Sequence, residues 1–314
     1  MAKPFAPISD APTLVKNPYV KTKFKDQTEL DDFIKCCDPV LGYLYFMDNF
    51  FMIQHPTKGS MVYHPWDYQK RLIETYHNFR YSISLMPRQS GKSTSAAGYL
   101  LWYAMFVPDS TILVAAHKYT GAQEIMQRIR YAYENCPDHI KAGVTTYNKG
   151  SLDFENGSRI VSATTTENTG RGMSITLLYL DEFAFVRPSI AKEFWTAITP
   201  TLSTGGKAII TSTPNSDEDQ FAFIWKGANK TEDSYGNQTE LGVNGFKAYR
   251  AHWTEQPGRD EQWASEMKAQ LGDDRFRREI GCFAQSTQLK VRDVAGNIHE
   301  LTMEELQKML SENK

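Results

Sequence analysis

The sequence predicts a three-layer α/β fold on a mostly parallel sheet, with a small helical subdomain and a short β-hairpin and helix as a C-terminal tail. Three observations carry this reading. The apolar run Ser82–Met86 leads into Pro87-Arg88-Gln89-Ser90-Gly91-Lys92-Ser93-Thr94, and Ser93 to Phe106 then has helical spacing. The run Leu177–Leu180 ends in two acids, Asp181 and Glu182. The run Lys207–Ile210 ends in Thr211-Ser212-Thr213-Pro214-Asn215. Strands buried on both faces of a parallel sheet read as continuous apolar runs. Such sheets bind ligands at the carboxyl ends of their strands.

The 314 residues suffice for one large domain or two modest ones. With 41% hydrophobic and 23% charged residues, the composition is that of an ordinary globular protein. The net charge of −2 gives no global basic signal for nucleic acid, which leaves a local basic patch open. No apolar run approaches the roughly 20 residues that span a bilayer, and Met1-Ala2-Lys3-Pro4 lacks the apolar core of a signal peptide. Cys36, Cys37, Cys136 and Cys282 have no zinc spacing, and a reducing cytosol is expected to keep them as thiols.

The expected divisions are 1–60, an arm with a helical and aromatic part; 61–225, the core; 226–281, a closing segment; and 282–314, the tail. Four prolines before residue 19 mark a surface arm. Thr28–Cys37 suits a short helix. Tyr43–Met47 and Phe50–Ile53 read as core and strand, with a base-stacking surface as the alternative. A helix opens near His64-Pro65-Trp66-Asp67-Tyr68-Gln69 and is expected to run to about Tyr81. Ser110–Ala116 reads as a strand and Thr120–Glu134 as an amphipathic helix. Glu155-Asn156-Gly157 joins Ser151–Phe154 to Ser158–Ala163 as a hairpin. The helical subdomain is assigned to residues before about 60 together with 226–281.

The chemistry starts from the loop. A strand, a tight turn and a helix N-terminus make an anion site, because backbone N–H groups converge there and the helix dipole favours negative charge. Gln89, Ser90, Gly91, Lys92, Ser93 and Thr94 form that cradle, with Lys92 toward the β- and γ-phosphates and the Ser93 hydroxyl on Mg²⁺. Met86 stands where the usual pattern has a small residue. Asp181 suits a Mg²⁺ ligand and Glu182 a general base; the plain alternative is a strand ending at solvent. Gln69 either reads a base edge through its amide or is an exposed helix residue. Thr211, Ser212 and Thr213 are placed to sense a terminal phosphate. Arg171, between Gly170 and Gly172, is a loop arginine facing DNA phosphate, a neighbouring nucleotide or only solvent.

Taken together and in order, the Gln69 segment, Arg88–Ser93, Thr169-Gly170-Arg171-Gly172, Leu180-Asp181-Glu182 and Thr211–Asn215 resemble the ATPase region of large terminase subunits from tailed phages of the T4-like type. The resemblance covers about residues 30–281, and His252 through Glu279 resembles the end of that region. It implies a P-loop NTPase fold, with ATP and Mg²⁺ as cofactors. It also implies a motor that pumps double-stranded DNA into a capsid, working with a portal protein, a small terminase subunit and further copies in a ring, in the host cytoplasm. In the family a cis-acting loop arginine stabilises transferred charge, and Arg88 holds that position; Thr211–Thr213 would couple hydrolysis to movement. A helicase-like nucleic-acid ATPase and a nucleotide-binding scaffold are the alternatives.

Family members carry a nuclease domain after the ATPase, and residues 282–314 are too short for one. Cys282, Thr287, the turn Gly296-Asn297 and the capping pair Thr302/Glu305 instead resemble the N-terminal segment of a split intein. That resemblance implies Cys282 as the splicing nucleophile at Gly281. It also implies a separate polypeptide carrying the rest of the intein and the nuclease half. Ser286 replaces the usual Asp, and the later intein motifs are absent. An ordinary linker hairpin and helix, or a frameshifted end, are the alternatives.

Overall fold

The computed structural model describes residues 13–282, 288–292 and 298–302, together with Glu305 and Met309. The chain opens with α1 (Gln27–Cys36), α2 (Gly42–Asn49) and the antiparallel pair β1 (Met52–His55) and β2 (Gly59–Val62). Next come α3 (Asp67–Asn78), β3 (Tyr81–Leu85), α4 (Lys92–Phe106), β4 (Thr111–Ala116) and α5 (Tyr119–Asn135). Then follow β5 (Val144–Tyr147), β6 (Ser151–Phe154), β7 (Arg159–Thr164), β8 (Leu177–Asp181), α6 (Pro188–Leu202) and β9 (Lys207–Ser212). The last elements are α7 (Gln220–Ala228), β10 (Lys247–Arg250), α8 (Glu261–Leu271), α9 (Asp273–Glu279) and the hairpin β11 (Gln288–Arg292) and β12 (Ile298–Thr302).

Eight strands form one sheet in the order β10-β3-β9-β8-β4-β7-β6-β5. From β10 to β7 every neighbouring pair is parallel; β6 and β5 pair antiparallel at one edge. Successive strand side chains point to opposite faces, and both faces here are covered. Ile112, Val114 and Ala116 of β4, with Leu177 and Tyr179 of β8, pack with residues of α1 to α5. Leu113 and Ala115, with Leu178 and Leu180, pack with α6 and α7. The sheet is thus the middle of three layers, as the continuous apolar runs imply.

Several elements differ from the expectation. Tyr43, Phe46 and Met47 lie on α2, not on a strand, because their i, i+3, i+4 spacing puts them on one helical face. Tyr43 meets the edges of Trp102 and Tyr99 at 5.6 and 5.9 Å. The helix that holds Gln69 stops at Asn78, because Tyr81 already pairs with Ala208 as a strand. The β5, β10 and α6 elements have no counterpart in the sequence reading. The α1 and α2 helices join the main core through Cys36, Tyr43, Phe46 and Met47, whereas α8 and α9 form their own cluster of Trp253, Ala264, Phe276 and Ile280. The expected grouping of the N-terminal part with 226–281 is therefore not what the packing shows. All four cysteines are free thiols. Arm residues 1–12, and most of the tail helix expected from Met303 to Leu310, lie outside the described residues. No helix among the described residues is long and apolar enough to cross a membrane.

Close packing of α4 on α2 requires Gly98. A Cβ there would stand 2.7 Å from Met47 Cε and 3.0 Å from the Phe51 ring. Gly98→Val should destabilise the fold by about 1–3 kcal/mol, the usual cost of overpacking, read as a lower urea midpoint at unchanged slope.

Candidate active site

The carboxyl ends of β3, β9, β8 and β4 lie side by side, and each delivers one part of the site. The loop after β3 is pinned at its start by Met86 N–H donating to Ser212 O at 3.1 Å. It turns through left-handed conformations at Gln89 (φ +57) and Gly91 (φ +79) and enters α4 at Lys92. No side chain caps α4, so the N–H groups of its first turn, which carries Lys92, Ser93 and Thr94, are available to an anion. Ser90 is buried and its hydroxyl has no partner among the described residues.

Asp181 ends β8, in register with Thr211 on β9 and Ala116 on β4. Its Oδ1 accepts from Tyr179 Oη at 2.8 Å and from Thr211 Oγ1 at 3.1 Å. The Ser93 hydroxyl donates to both carboxylate oxygens, at 3.2 and 3.3 Å. Burial pushes the Asp181 carboxyl above its ordinary value, opposed by the positive charge of Lys92. A hydroxyl facing a carboxylate is a hard oxygen donor pair that fits Mg²⁺. This ion normally takes one or two protein ligands and fills the rest of its shell with water and phosphate. No cluster of three or more His, Cys, Asp or Glu that could hold a metal occurs among the described residues.

Glu182 sits next, at φ +50 and ψ +46, a conformation uncommon for a residue with a Cβ. Its Oε1 accepts from Lys92 Nζ at 2.6 Å. Its Oε2 accepts from Thr213 N–H at 3.2 Å, Ser212 Oγ at 3.3 Å and Thr213 Oγ1 at 3.4 Å. Burial alone would raise the Glu182 carboxyl. The Lys92 ammonium and these hydrogen bonds outweigh burial and hold it below its ordinary value. Thr211, Ser212 and Thr213 are fully buried. A cavity of about 380 Å³ opens among Arg88, Gln89, Lys92, His117, Glu182 and Phe185.

The structure therefore brings Arg88, Gln89, Lys92, Ser93, Asp181, Glu182 and Thr211–Thr213 together, with Ser90, Gly91 and Thr94 in the loop and first helical turn between them. Arg88 lines the cavity, but its Nε pairs with Glu279 Oε2 at 2.5 Å. Gln69 is placed differently from the base-reading expectation. It is buried, its Oε1 accepts from Trp66 N–H, and its Nε2 donates to Ser90 O at 2.9 Å and Tyr68 Oη at 3.2 Å. Its amide braces the loop and lines neither of the cavities beside it. Arg171 lies exposed in its loop. His117 is absent from the sequence reading; it follows the apolar run of β4 directly, and its buried Nδ1 has no partner among the described residues. Arg259 is likewise absent from it as a site residue: its Nη2 donates to Arg88 O and Gln89 O at 3.1 and 3.3 Å.

A sequence profile described as "Terminase large subunit, T4likevirus-type, N-terminal" matches residues 83–298. The chain belongs to this terminase family. Among solved structures, the large terminase ATPase domain of Thermus phage P74-26 is similar at 24% identity and a TM-score of 0.56, over 70% of this chain and 94% of that one. The large terminase of bacteriophage HK97 is similar at 18% identity and a TM-score of 0.63, over 79% of this chain and 56% of that one. The large terminase of another thermophilic bacteriophage, solved in complex with ADP, is similar at 10% identity and a TM-score of 0.54, over 71% and 55%. The eight-stranded, mostly parallel sheet is thus the fold of terminase ATPase domains, and this terminase chain spans little more than half of the last two proteins.

Gly91 is needed at its place in the loop: φ is +79 and an added Cβ would lie 2.4 Å from Gln69 Nε2. Gly91→Ala should cost about 1–2 kcal/mol from the left-handed backbone alone, with the displaced Gln69 brace adding to it. The measurement is the shift in urea midpoint against wild type.

Proposed function

We propose that this chain is the ATP-hydrolysing motor part of a phage terminase large subunit, which drives double-stranded DNA into a capsid. The observation that carries the reading is the double contact across the strand ends, Ser93 to Asp181 and Lys92 to Glu182. It joins the loop that would hold phosphate to the residues that would serve as metal ligand and base at the neighbouring strand end. Membership of the terminase family supports nucleotide as the ligand, as do the ADP and ATP-gamma-S complexes of the thermophilic bacteriophage terminase.

The phosphates would lie against the loop N–H groups and the start of α4, with Lys92 neutralising the terminal phosphate. Ser93 and Asp181 would hold Mg²⁺, which supplies charge neutralisation on the β- and γ-oxygens. Glu182 would orient the attacking water and take its proton. Lys92 and Glu182 now satisfy each other, so an entering phosphate draws Lys92 away and frees a carboxylate oxygen toward the cavity. The other oxygen stays tied to Ser212 and Thr213, which connects the state of the site to the end of β9. Double-stranded DNA, a portal protein, a small terminase subunit and further copies in a ring are the partners this reading implies.

Glu182→Gln should retain ATP binding and lose phosphate release by roughly 10²–10⁴, the range of a positioned general base. An unchanged rate would point to a scaffold without turnover, and duplex unwinding without portal binding would point to a helicase.

A second reading concerns the tail and is supported by the junction itself. Cys282 has φ +54, a strained conformation for a non-glycine residue. The Gly281 carbonyl accepts from Arg250 Nη2 at 3.1 Å, and the antiparallel pair β11–β12 follows. We infer that Cys282 is the nucleophile of a splicing junction, which a polypeptide carrying the remaining intein would complete. The Cys282 thiolate would attack the Gly281 carbonyl carbon, the C–N bond would break, the freed amine would take a proton, and a thioester would form. Burial pushes the Cys282 thiol up to about 12. The family match runs through this junction to residue 298, and an ordinary linker, which would give no joined product, is the alternative. Mixing the chain with that partner should give a joined product for wild type and none for Cys282→Ala; joining in the variant removes Cys282 as nucleophile.

A further inference from the structure

In the buried run Leu177-Leu178-Tyr179-Leu180 of β8, Tyr179 alone carries a polar atom in its side chain. A phenylalanine would fill the same space with no hydroxyl to take out of water, so the hydroxyl needs its own explanation. Side chains two apart on a strand share a face, which puts Tyr179 on the face that carries Asp181. Thr211 stands beside Asp181 in the register of β8 with β9. The three side chains close a triangle. Tyr179 Oη donates to Asp181 Oδ1 at 2.8 Å, Thr211 Oγ1 lies 3.0 Å from Tyr179 Oη, and Thr211 Oγ1 lies 3.1 Å from Asp181 Oδ1. Tyr179 and Thr211 are both fully buried. Water does not compete for these bonds, and a satisfied buried network of this kind fixes the geometry of its members.

The triangle treats the two oxygens of Asp181 unequally. Oδ1 accepts from Tyr179, Thr211 and Ser93, whereas Oδ2 accepts from Ser93 alone among the described residues, at 3.3 Å. A carboxylate oxygen offers about two lone-pair sites, so Oδ1 is filled from the buried side and Oδ2 keeps capacity. The next residues of the chain after Thr211 serve a different group, because Ser212 and Thr213 hold Glu182 Oε2. The end of β9 thus divides its hydroxyls between the acid that would hold metal and the acid that would act as base.

We propose that Tyr179 and Thr211 are positioning residues for the divalent cation: they hold Asp181 by Oδ1 and leave Oδ2 for the ion beside the Ser93 hydroxyl. The inference rests on the nucleotide-binding reading above and adds what fixes its metal ligand. Neither hydroxyl touches the ion; each acts through the carboxylate. Loss of such an outer partner of a metal ligand weakens metal binding by roughly 10–100-fold.

The test reads metal binding rather than turnover. The full chain, in excess over ATP-gamma-S so that the nucleotide is bound, is titrated with Mn²⁺, which takes the same hard oxygen donors as Mg²⁺. The free ion is followed by electron paramagnetic resonance. Tyr179→Phe, which removes only the hydroxyl, should bind Mn²⁺ about tenfold more weakly than wild type, while its affinity for ATP-gamma-S in EDTA stays within twofold. Thr211→Val should move the same way; where Tyr179→Phe does not fold, this variant decides by the same criterion. Mn²⁺ affinity within twofold of wild type in the folded variant overturns the proposal and leaves the tyrosine as a core residue only. Equal weakening of Mn²⁺ and of metal-free nucleotide overturns it as well, because the hydroxyl would then serve the loop as a whole. Binding of Mn²⁺ by Asp181→Asn as tightly as by wild type removes Asp181 as the ligand, and the proposal with it. Binding of no ATP-gamma-S by wild type overturns the nucleotide reading itself.

Discussion

Everything at the strand ends depends on one ion pair. Lys92 and Glu182 meet at 2.6 Å with side chains that are 8% and 25% exposed. Charges so far removed from water are stable only when paired and hydrogen-bonded. The geometry meets that condition: the ammonium takes one carboxylate oxygen, and Thr213 and Ser212 take the other. Any change of partner for the lysine is therefore a change of partner for the glutamate. A phosphate offers the ammonium a partner of higher negative charge than a carboxylate. The pair thus connects the charge at the phosphate loop to the ends of β8 and β9.

The backbone carries a matching constraint. Gln89, Gly91 and Glu182 all have positive φ, and Gln89 and Glu182 line the same cavity. The surroundings hold these conformations in place. Gln69 braces Ser90, Arg259 grips the carbonyls of Arg88 and Gln89, and Glu279 O accepts from Arg88 N–H at 2.9 Å. Two of these three braces come from the segment after β10. The α8–α9 unit is therefore not an appendage with its own small core; it completes the loop.

How much of this is legible in the sequence follows the range of the signal. The strands β3, β4, β8 and β9 are contiguous apolar runs with polar ends, so both their presence and the residues at their carboxyl ends can be read directly. The pairing of Asp181 with Ser93, or of Glu182 with Lys92, needs only the assumption that these strands lie side by side. The α2 helix reads as a strand because its aromatic run, Tyr43-Leu44-Tyr45-Phe46-Met47, has no polar residue to reveal its period. The four-residue strand β10 is invisible because pairing to β3, not composition, makes it a strand. Gln69 is legible as a site residue but not in its task, since an amide that can read a base can equally cap a loop carbonyl. His117 carries the signal of a polar residue at the end of β4, whereas Arg259 carries none; packing alone shows that each keeps a buried nitrogen without a partner among the described residues.

The same edge strand explains why the tail bears on the site. Pairing of β10 with β3 places Arg250 beside Leu85, one residue before the loop begins. Arg250 donates to Gly281 O, and Cys282 belongs to the buried cluster that also holds Ile83 and Leu85 of β3. The charges of Lys92 and Glu182 both act on the Cys282 thiol. The chain thus returns to the strand that bears the phosphate loop immediately before the tail starts. The Gly281 carbonyl is thus tied by one hydrogen bond to β10, and β10 pairs with the strand that leads into the phosphate loop. Whatever follows Cys282, an ordinary linker or a splicing element, starts beside that strand pair.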